Sequence, residues 1–232
     1  MKAQNDISLV VFDMAGTTVH DEGFVNKALQ NALSASQVEV TSEAIDVVMG
    51  YPKPTAIGLL LKDKQHPLAE DDTFIQQVFM AFQQEMLDFY SNDPKVVAKK
   101  NAEKVFRTLR ENGIKVALDT GFDRKIADTI IQRLGWQDLI DASVTSDEVS
   151  NGRPHADLIL EVLKRVGGVK VAQTAKVGDT VSDVQEGRAA KCGLVVAVTT
   201  GANEKSVLEA ENPDICIEDL SELLAFLGID EK

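Results

Sequence analysis

Two kinds of hydrophobic pattern divide the chain. From residue 24 to residue 90 the apolar positions recur only with the spacing of helices, over 25–33, 42–48, 55–61 and 74–90. The rest of the chain contains short apolar runs of strand length, several of them rich in Val and Ile. These runs lie at 7–12, 115–118, 176–177, 194–198 and 215–217.

After residue 94 the short apolar runs alternate with helical segments. The helices are predicted over 101–110, 124–134, 156–166, 181–190, 204–210 and 220–227. Repeated strand–helix units are typical of a parallel sheet with helices on both faces. We therefore predict an α/β fold: a doubly wound parallel sheet (Rossmann-like core, residues 1–20 and 92–232) with an inserted helical domain (21–91).

The composition limits the classes of binding partner and the cellular location that we expect. The 232 residues carry a net charge of −13, which argues against binding to nucleic acid or to an anionic membrane. No stretch is long and apolar enough to span a bilayer, and residues 1–6 lack the apolar core of a signal peptide. Cys192 and Cys216 are interpreted as reduced thiols of a cytoplasmic protein. Lys99 and Lys100 are interpreted as a solvated helix start, and a homodimer is left open.

Polar residues of a consistent kind follow the predicted strands, where parallel sheets place their ligands. Asp13 follows the first strand, and Thr120 with Gly121 follows the second. A hydroxyl and a free backbone N–H can together hold a phosphate oxygen. Arg153 precedes a helix and supplies a cation, and the segment 178–183 holds two aspartates four residues apart. Carboxylates that converge from two strand ends repel one another unless a divalent cation separates them, and Mg²⁺ suits such a site.

These motifs, in this order, resemble those of the haloacid dehalogenase superfamily. The resemblance implies an aspartyl-phosphate mechanism, in which Asp13 attacks phosphorus while Thr120 and Arg153 hold the phosphoryl group. It implies Mg²⁺ as the cofactor and the helical insertion as a cap over the site. The metal ligands are then Asp13, the carbonyl of Ala15, Asp179 and Asp183, and the substrate-binding residues are Gly121, Thr17 and Met49.

Ala15 separates the reactions open to such an enzyme. Phosphatases of this superfamily usually carry a second aspartate there, which protonates the leaving group; alanine cannot, at a cost of roughly 10²- to 10⁴-fold in rate. The phosphonatase family has alanine at this position. The segments 13–19 and 176–183 resemble that family beyond the shared acids.

A phosphonatase breaks a carbon–phosphorus bond, and its carbanion leaving group needs an electron sink, which a lysine imine supplies. The family places that lysine three residues after a Met-Gly pair, which corresponds to Lys53 here. Pro54 favours a helix that starts at Lys53. The positive end of the helix dipole then lies at Lys53 and disfavours the ammonium form of its side chain. Lys53 could instead only position an anionic substrate. The chain departs from the family at Ala56 (usually His), Gly23 (Cys) and Phe122 (Tyr).

The leading prediction is a magnesium-dependent hydrolase that cleaves the carbon–phosphorus bond of phosphonoacetaldehyde or a similar small phosphonate. The first alternative is a phosphate monoester phosphatase of the phosphoglycolate or sugar-phosphate type. The second alternative is an inactive protein that only binds phosphate. In each case the expected partner is a small phosphorylated or phosphonate molecule.

Overall fold

The computed structural model describes residues 6–229, and the first five and last three residues of the chain lie outside it. Its sheet has six parallel strands in the order β3-β2-β1-β4-β5-β6. The strands are β1 (Leu9–Phe12), β2 (Lys115–Thr120), β3 (Ala142–Thr145), β4 (Thr174–Gly178), β5 (Leu194–Val198) and β6 (Ile215–Ile217).

Ten α-helices occur within the described residues, and they lie close to the predicted segments. Those before β2 are α1 (Phe24–Ala35), α2 (Ser42–Asp46), α3 (Lys53–Asp63), α4 (Asp72–Asn92) and α5 (Ala102–Glu111). Those after β2 are α6 (Arg124–Leu134), α7 (Asp157–Val166), α8 (Val181–Ala190), α9 (Lys205–Ala210) and α10 (Ser221–Phe226). None of these helices is long and apolar enough to cross a membrane.

Both faces of the sheet are covered, as the fold prediction requires. Successive residues of β1 point to opposite faces, so Val10 and Phe12 pack in the largest hydrophobic cluster while Leu9 and Val11 pack with Leu158 of α7 on the other side. All four are fully buried. The predicted doubly wound α/β fold is therefore confirmed.

The helices α1 to α4 follow β1 directly and pack on one another, and α4 also packs on α6 of the α/β part. Their apolar side chains share one continuous hydrophobic cluster with the strands. The domain boundaries at residues 20/21 and 91/92 stay a prediction.

The strand β3 is an element that the pattern did not predict. Ala142 and Ser143 are only partly buried at the edge of the sheet, and the four residues form no apolar run. Thr145 at the end of β3 pairs in parallel with Thr120 at the end of β2. The loop after β3, which leads to Arg153, therefore starts beside the carboxyl end of β2.

Candidate active site

The carboxyl ends of the central strands bring the predicted polar residues together. Phe12 pairs with Leu118 on β2 and Val177 on β4, so Asp13 lies one residue beyond this level, between the two neighbouring strands. Thr120 ends β2 and Asp179 follows β4. All three side chains are buried.

Arg153 reaches into this cluster from the loop before α7. Its Nη1 donates to Asp13 Oδ1 (2.5 Å) and lies 3.1 Å from Asp183 Oδ1. The guanidinium is almost completely buried, with 2% of the residue exposed. A buried arginine beside the strand-end carboxylate provides a fixed cationic anchor for an anion.

Asp179 is held rigidly by the two loops around it. Its Oδ1 accepts a hydrogen bond from Thr17 Oγ1 and its Oδ2 accepts one from the Ala202 backbone N–H, both at 2.6 Å. Gly16 has a φ of 88°, and a Cβ there would lie 2.3 Å from Asp179 Oδ2. The absence of a side chain at Gly16 therefore lets the backbone beside Ala15 approach this carboxylate closely.

Asp183 lies in the first turn of α8, where it forms a capping box with Thr180. Burial alone would raise the pKa of Asp183, but Arg153 and Lys176 lower it below its ordinary value. Asp183 is therefore charged and faces the cations rather than solvent.

The donor set fits a divalent cation. Burial, with smaller contributions from Asp183 and Asp179, raises the pKa of Asp13 to about 7 against the opposing effect of Arg153. Burial, followed by Asp183, raises the pKa of Asp179 to about 6. Two buried carboxylates whose charged forms are disfavoured in this way, next to the backbone of Ala15, form the oxygen-rich environment that Mg²⁺ prefers.

A second group of carboxylates has the spacing of a metal site but contains cations already. One oxygen from each of Asp13, Asp119 and Asp183 lies within 4.8 Å of the others, and all three residues are buried. Arg153 and Lys176 contact these carboxylates directly. Asp13 and Asp179, with the Ala15 carbonyl, are therefore the better candidates for holding a metal.

Lys53 is the first residue of α3, as its position before Pro54 predicted. Only 3% of the residue is exposed. Its Nζ lies 5.6 Å from the centre of the Phe122 ring and 3.4 Å from the Tyr51 carbonyl oxygen. Burial lowers the pKa of Lys53 to about 8, although Asp13 opposes the shift, so the amine is more easily deprotonated than an exposed lysine.

A cavity of about 20 Å³ connects the helical segment with the strand ends, and two clefts of about 570 Å³ and about 420 Å³ lie near it. Most of the predicted site residues line this cavity. They are Asp13, Ala15, Met49, Lys53, Thr120, Gly121 and Arg153. Thr17 and Asp179 lie outside the lining, bonded to each other, and Asp183 lies behind Arg153. The roles assigned to all these residues stay predictions.

The loop between α2 and α3 lies flat on the strand ends. A Cβ on Gly121 would lie 2.6 Å from the Gly50 carbonyl oxygen and 2.7 Å from that of Tyr51. Ser182 Oγ lies 3.2 Å from the Met49 carbonyl oxygen, to which it donates. These contacts hold Lys53 over the carboxyl ends of the strands, where Asp13 lies.

A layer of charged residues that the hydrophobic pattern did not predict lies below the site. Asp119, Lys176 and Glu186 are fully buried and surround the guanidinium of Arg153. The available signal was a charged residue inside a run that otherwise reads as a buried strand, which requires a partner. Lys99 was wrongly interpreted as solvated: its Nζ donates to the carbonyls of Gly16 and Thr200 and is partly buried.

The family model for haloacid dehalogenase-like hydrolases matches residues 7–191. The chain therefore belongs to the haloacid dehalogenase-like hydrolases, and its prediction as an enzyme of this superfamily is confirmed.

Within that family the chain is phosphonatase-like. It is 31% identical to phosphonoacetaldehyde hydrolase of Bacillus cereus over 214 residues, which cover 88% of this chain and 80% of that protein. Its fold matches a hydrolase from Pseudomonas syringae with a TM-score of 0.86 at 22% identity, covering 95% of this chain and 98% of that one. It also matches a phosphonoacetaldehyde hydrolase like protein from Oleispira antarctica, with a TM-score of 0.83, 18% identity, and coverage of 96% and 92%.

Proposed function

We propose that this protein hydrolyses the carbon–phosphorus bond of phosphonoacetaldehyde or a similar small phosphonate aldehyde. The observation that carries the proposal is a buried lysine, Lys53, on the same small cavity as Asp13, with no acid at Ala15. The similarity to a phosphonoacetaldehyde hydrolase supports the same substrate class.

Lys53 supplies the electron sink. Its neutral amine attacks the substrate aldehyde, and loss of water with uptake of a proton from solvent gives a protonated imine. The pKa of about 8, lowered by burial, leaves a useful fraction of the amine neutral near pH 7. When the carbon–phosphorus bond breaks, its electron pair moves into the imine to give an enamine, so the leaving carbon needs no acid at position 15.

Asp13 accepts the phosphoryl group. Its carboxylate attacks phosphorus as the bond to carbon breaks, which gives an aspartyl phosphate and the enamine. Arg153 and the hydroxyl of Thr120 bind the phosphoryl oxygens, and the backbone N–H of Gly121 assists them. Protonation of the enamine and hydrolysis of the imine release acetaldehyde, and water cleaves the aspartyl phosphate to release inorganic phosphate.

A Mg²⁺ ion, when bound by Asp13, Asp179 and the Ala15 carbonyl, offsets the negative charge of the phosphoryl group. Asp183, the remaining predicted metal ligand, lies in the same cluster with its Oδ1 3.1 Å from Arg153 Nη1. Thr17 orients Asp179 by its hydrogen bond at 2.6 Å. Residues 21–91 act as a cap, in which Met49 forms part of the substrate-binding wall.

The test is a product assay with phosphonoacetaldehyde, alkyl phosphates and an activated aryl phosphate in the presence of Mg²⁺. We expect acetaldehyde and phosphate in equal amounts from the phosphonate. Phosphate release from the esters alone would instead favour the monoesterase. No turnover of any of them, with phosphate still bound, would favour an inactive binding protein.

Lys53→Arg makes the assay specific for the imine, because arginine keeps the charge but forms no stable imine under these conditions. We expect it to lose carbon–phosphorus cleavage almost completely, whereas Lys27→Arg, at an exposed position of α1, serves as the matched control and keeps it. Substantial cleavage by Lys53→Arg would refute the imine mechanism and leave Lys53 only a positioning role.

A further inference from the structure

The guanidinium nitrogens of Arg153 have different partners: Nε and Nη2 bind carboxylates behind the site, and Nη1 contacts the nucleophile. Nε donates to Glu186 Oε2 at 2.9 Å, and Nη2 donates to both the carbonyl and the carboxylate of Asp119, at 2.9 Å to the carbonyl. Nη1 donates to Asp13. It also lies 3.1 Å from Asp183 Oδ1, as an ion pair without hydrogen-bond geometry. A guanidinium has five N–H donors, so the second N–H of Nη1 makes no hydrogen bond among residues 6–229.

Asp119 and Glu186 each bridge two buried cations. Asp119 Oδ1 contacts both Arg153 and Lys176, and Glu186 Oε2 lies 2.9 Å from Arg153 Nε and 3.0 Å from Lys176 Nζ. All four side chains are fully buried. Without these bridges the two adjacent cations would repel each other in a region that excludes water.

We propose that Asp119 and Glu186 are positioning residues that fix the guanidinium of Arg153 with its Nη1 edge toward the phosphoryl group. The proposal rests on the proposed function, in which Arg153 binds that group. Glu186 holds Nε and Asp119 holds Nη2, which leaves Nη1, the nitrogen that contacts Asp13, to face a ligand. Lys176 acts in turn as the cation that holds these two carboxylates in place.

The strand order explains why these residues meet. Asp119 on β2 and Lys176 on β4 flank β1, whose last residue Phe12 immediately precedes Asp13. Glu186 projects from α8, which packs on β4. The cluster therefore lies directly behind the nucleophile, with one oxygen of Asp119 within 4.8 Å of one of Asp13, and its side chains are fully buried.

The experiment measures the binding of inorganic phosphate, in the presence of Mg²⁺, by isothermal titration calorimetry, together with thermal unfolding. The double variant Asp119→Leu/Lys176→Met removes a buried ion pair without changing the net charge, an exchange that folded proteins often tolerate. Glu186→Met removes the acceptor for Nε. Glu186→Gln keeps it, because Glu186 Oε1 has no hydrogen-bond partner among the described residues and can be replaced by the amide nitrogen.

We expect the double variant and Glu186→Met to bind phosphate more weakly by roughly tenfold to a hundredfold, as when a charge-assisted hydrogen bond is lost. Glu186→Gln should restore affinity to within about threefold of the wild type, by the same reasoning. Asp141→Asn is the control. Asp141 pairs with Arg110 and accepts a hydrogen bond from the Val116 N–H (2.8 Å) near the amino end of β2, whereas the site lies at the carboxyl ends of the strands. This variant should therefore bind phosphate as tightly as the wild type.

A folded double variant, or a folded Glu186→Met, with phosphate affinity within about twofold of the wild type would overturn this proposal and leave Asp119 and Glu186 a purely structural role. If the double variant does not fold, the comparison of Glu186→Met with Glu186→Gln decides alone. A wild-type protein that binds phosphate without cleaving phosphonates would overturn only the proposed function. A wild-type protein that binds no phosphate would overturn both.

Discussion

The reactivity of Lys53 should depend on pH with a midpoint set by its pKa, which burial lowers. Burial lowers the pKa of this lysine from an ordinary 10.5 to about 8, a difference that corresponds to roughly 3 kcal/mol. At pH 7 the Lys53 amine is then neutral in about a tenth of the molecules, compared with about 0.03% for an unperturbed lysine. The neutral amine, which forms the imine, is therefore enriched about 300-fold.

Because deprotonation activates Lys53, its reaction with an aldehyde should accelerate about tenfold per pH unit below 8 and level off above 8. The assay uses acetaldehyde with a saturating concentration of cyanoborohydride between pH 6 and 10. Peptide mass spectrometry gives the initial rate of reductive alkylation at Lys53, and exposed Lys27 of the same protein provides the internal reference. Acetaldehyde contains no phosphorus, so the measured rate includes no phosphoryl-transfer step.

A rate at Lys53 that climbs without levelling to pH 10, in parallel with Lys27, would refute the reasoning, because the amine would then have the pKa of an exposed lysine. Adduct formation in Lys53→Arg at the same rate as in the wild type would show that another lysine reacts.

Three further predictions concern the phosphoryl chemistry. Asp13→Asn removes the nucleophile and should abolish turnover while the circular dichroism spectrum stays native; retention of most of the activity would rule out the aspartyl phosphate. Excess chelator should abolish activity and added Mg²⁺ should restore it, and Asp179→Asn should raise the Mg²⁺ concentration needed for half activation; full activity in chelator would contradict this. Ala15→Asp restores a general acid and should raise alkyl phosphate hydrolysis by about a hundredfold without accelerating phosphonate cleavage; no gain on any ester would mean that the pocket, not the missing acid, sets the specificity.

The strand and helix pattern predicted most of the fold because its central elements are strongly apolar. The four residues of β1 are fully buried on both faces, which gives an uninterrupted apolar run. The strand β3 escaped notice because its first two residues are half-buried at the edge and it contains Ser143 and Thr145. Short edge strands leave little trace in a hydrophobic pattern.

The site likewise contains residues that the sequence predicted and residues that it did not. Asp13, Thr120 and Asp179 each follow or end a strand that the pattern identifies, so their convergence follows from the parallel sheet. Arg153 was predicted only as a cation before a helix, and the unpredicted strand β3 brings it to the site. The ion pair of Asp119 with Lys176 joins residues 57 positions apart on strands that are not adjacent. Only the strand order shows that they meet, and a single sequence does not determine that order.

The size of the cavity at Lys53 has a kinetic consequence. A space of about 20 Å³ holds roughly one water molecule, so no molecule with a phosphonyl group and two carbons enters it as it stands. We therefore expect binding to require a minor population in which the loop 49–53 has lifted from Gly121. The apparent affinity for substrate falls in proportion to that population. Solvent viscosity should accordingly slow capture of the substrate and escape of phosphate, while the bond-breaking step itself stays insensitive to it.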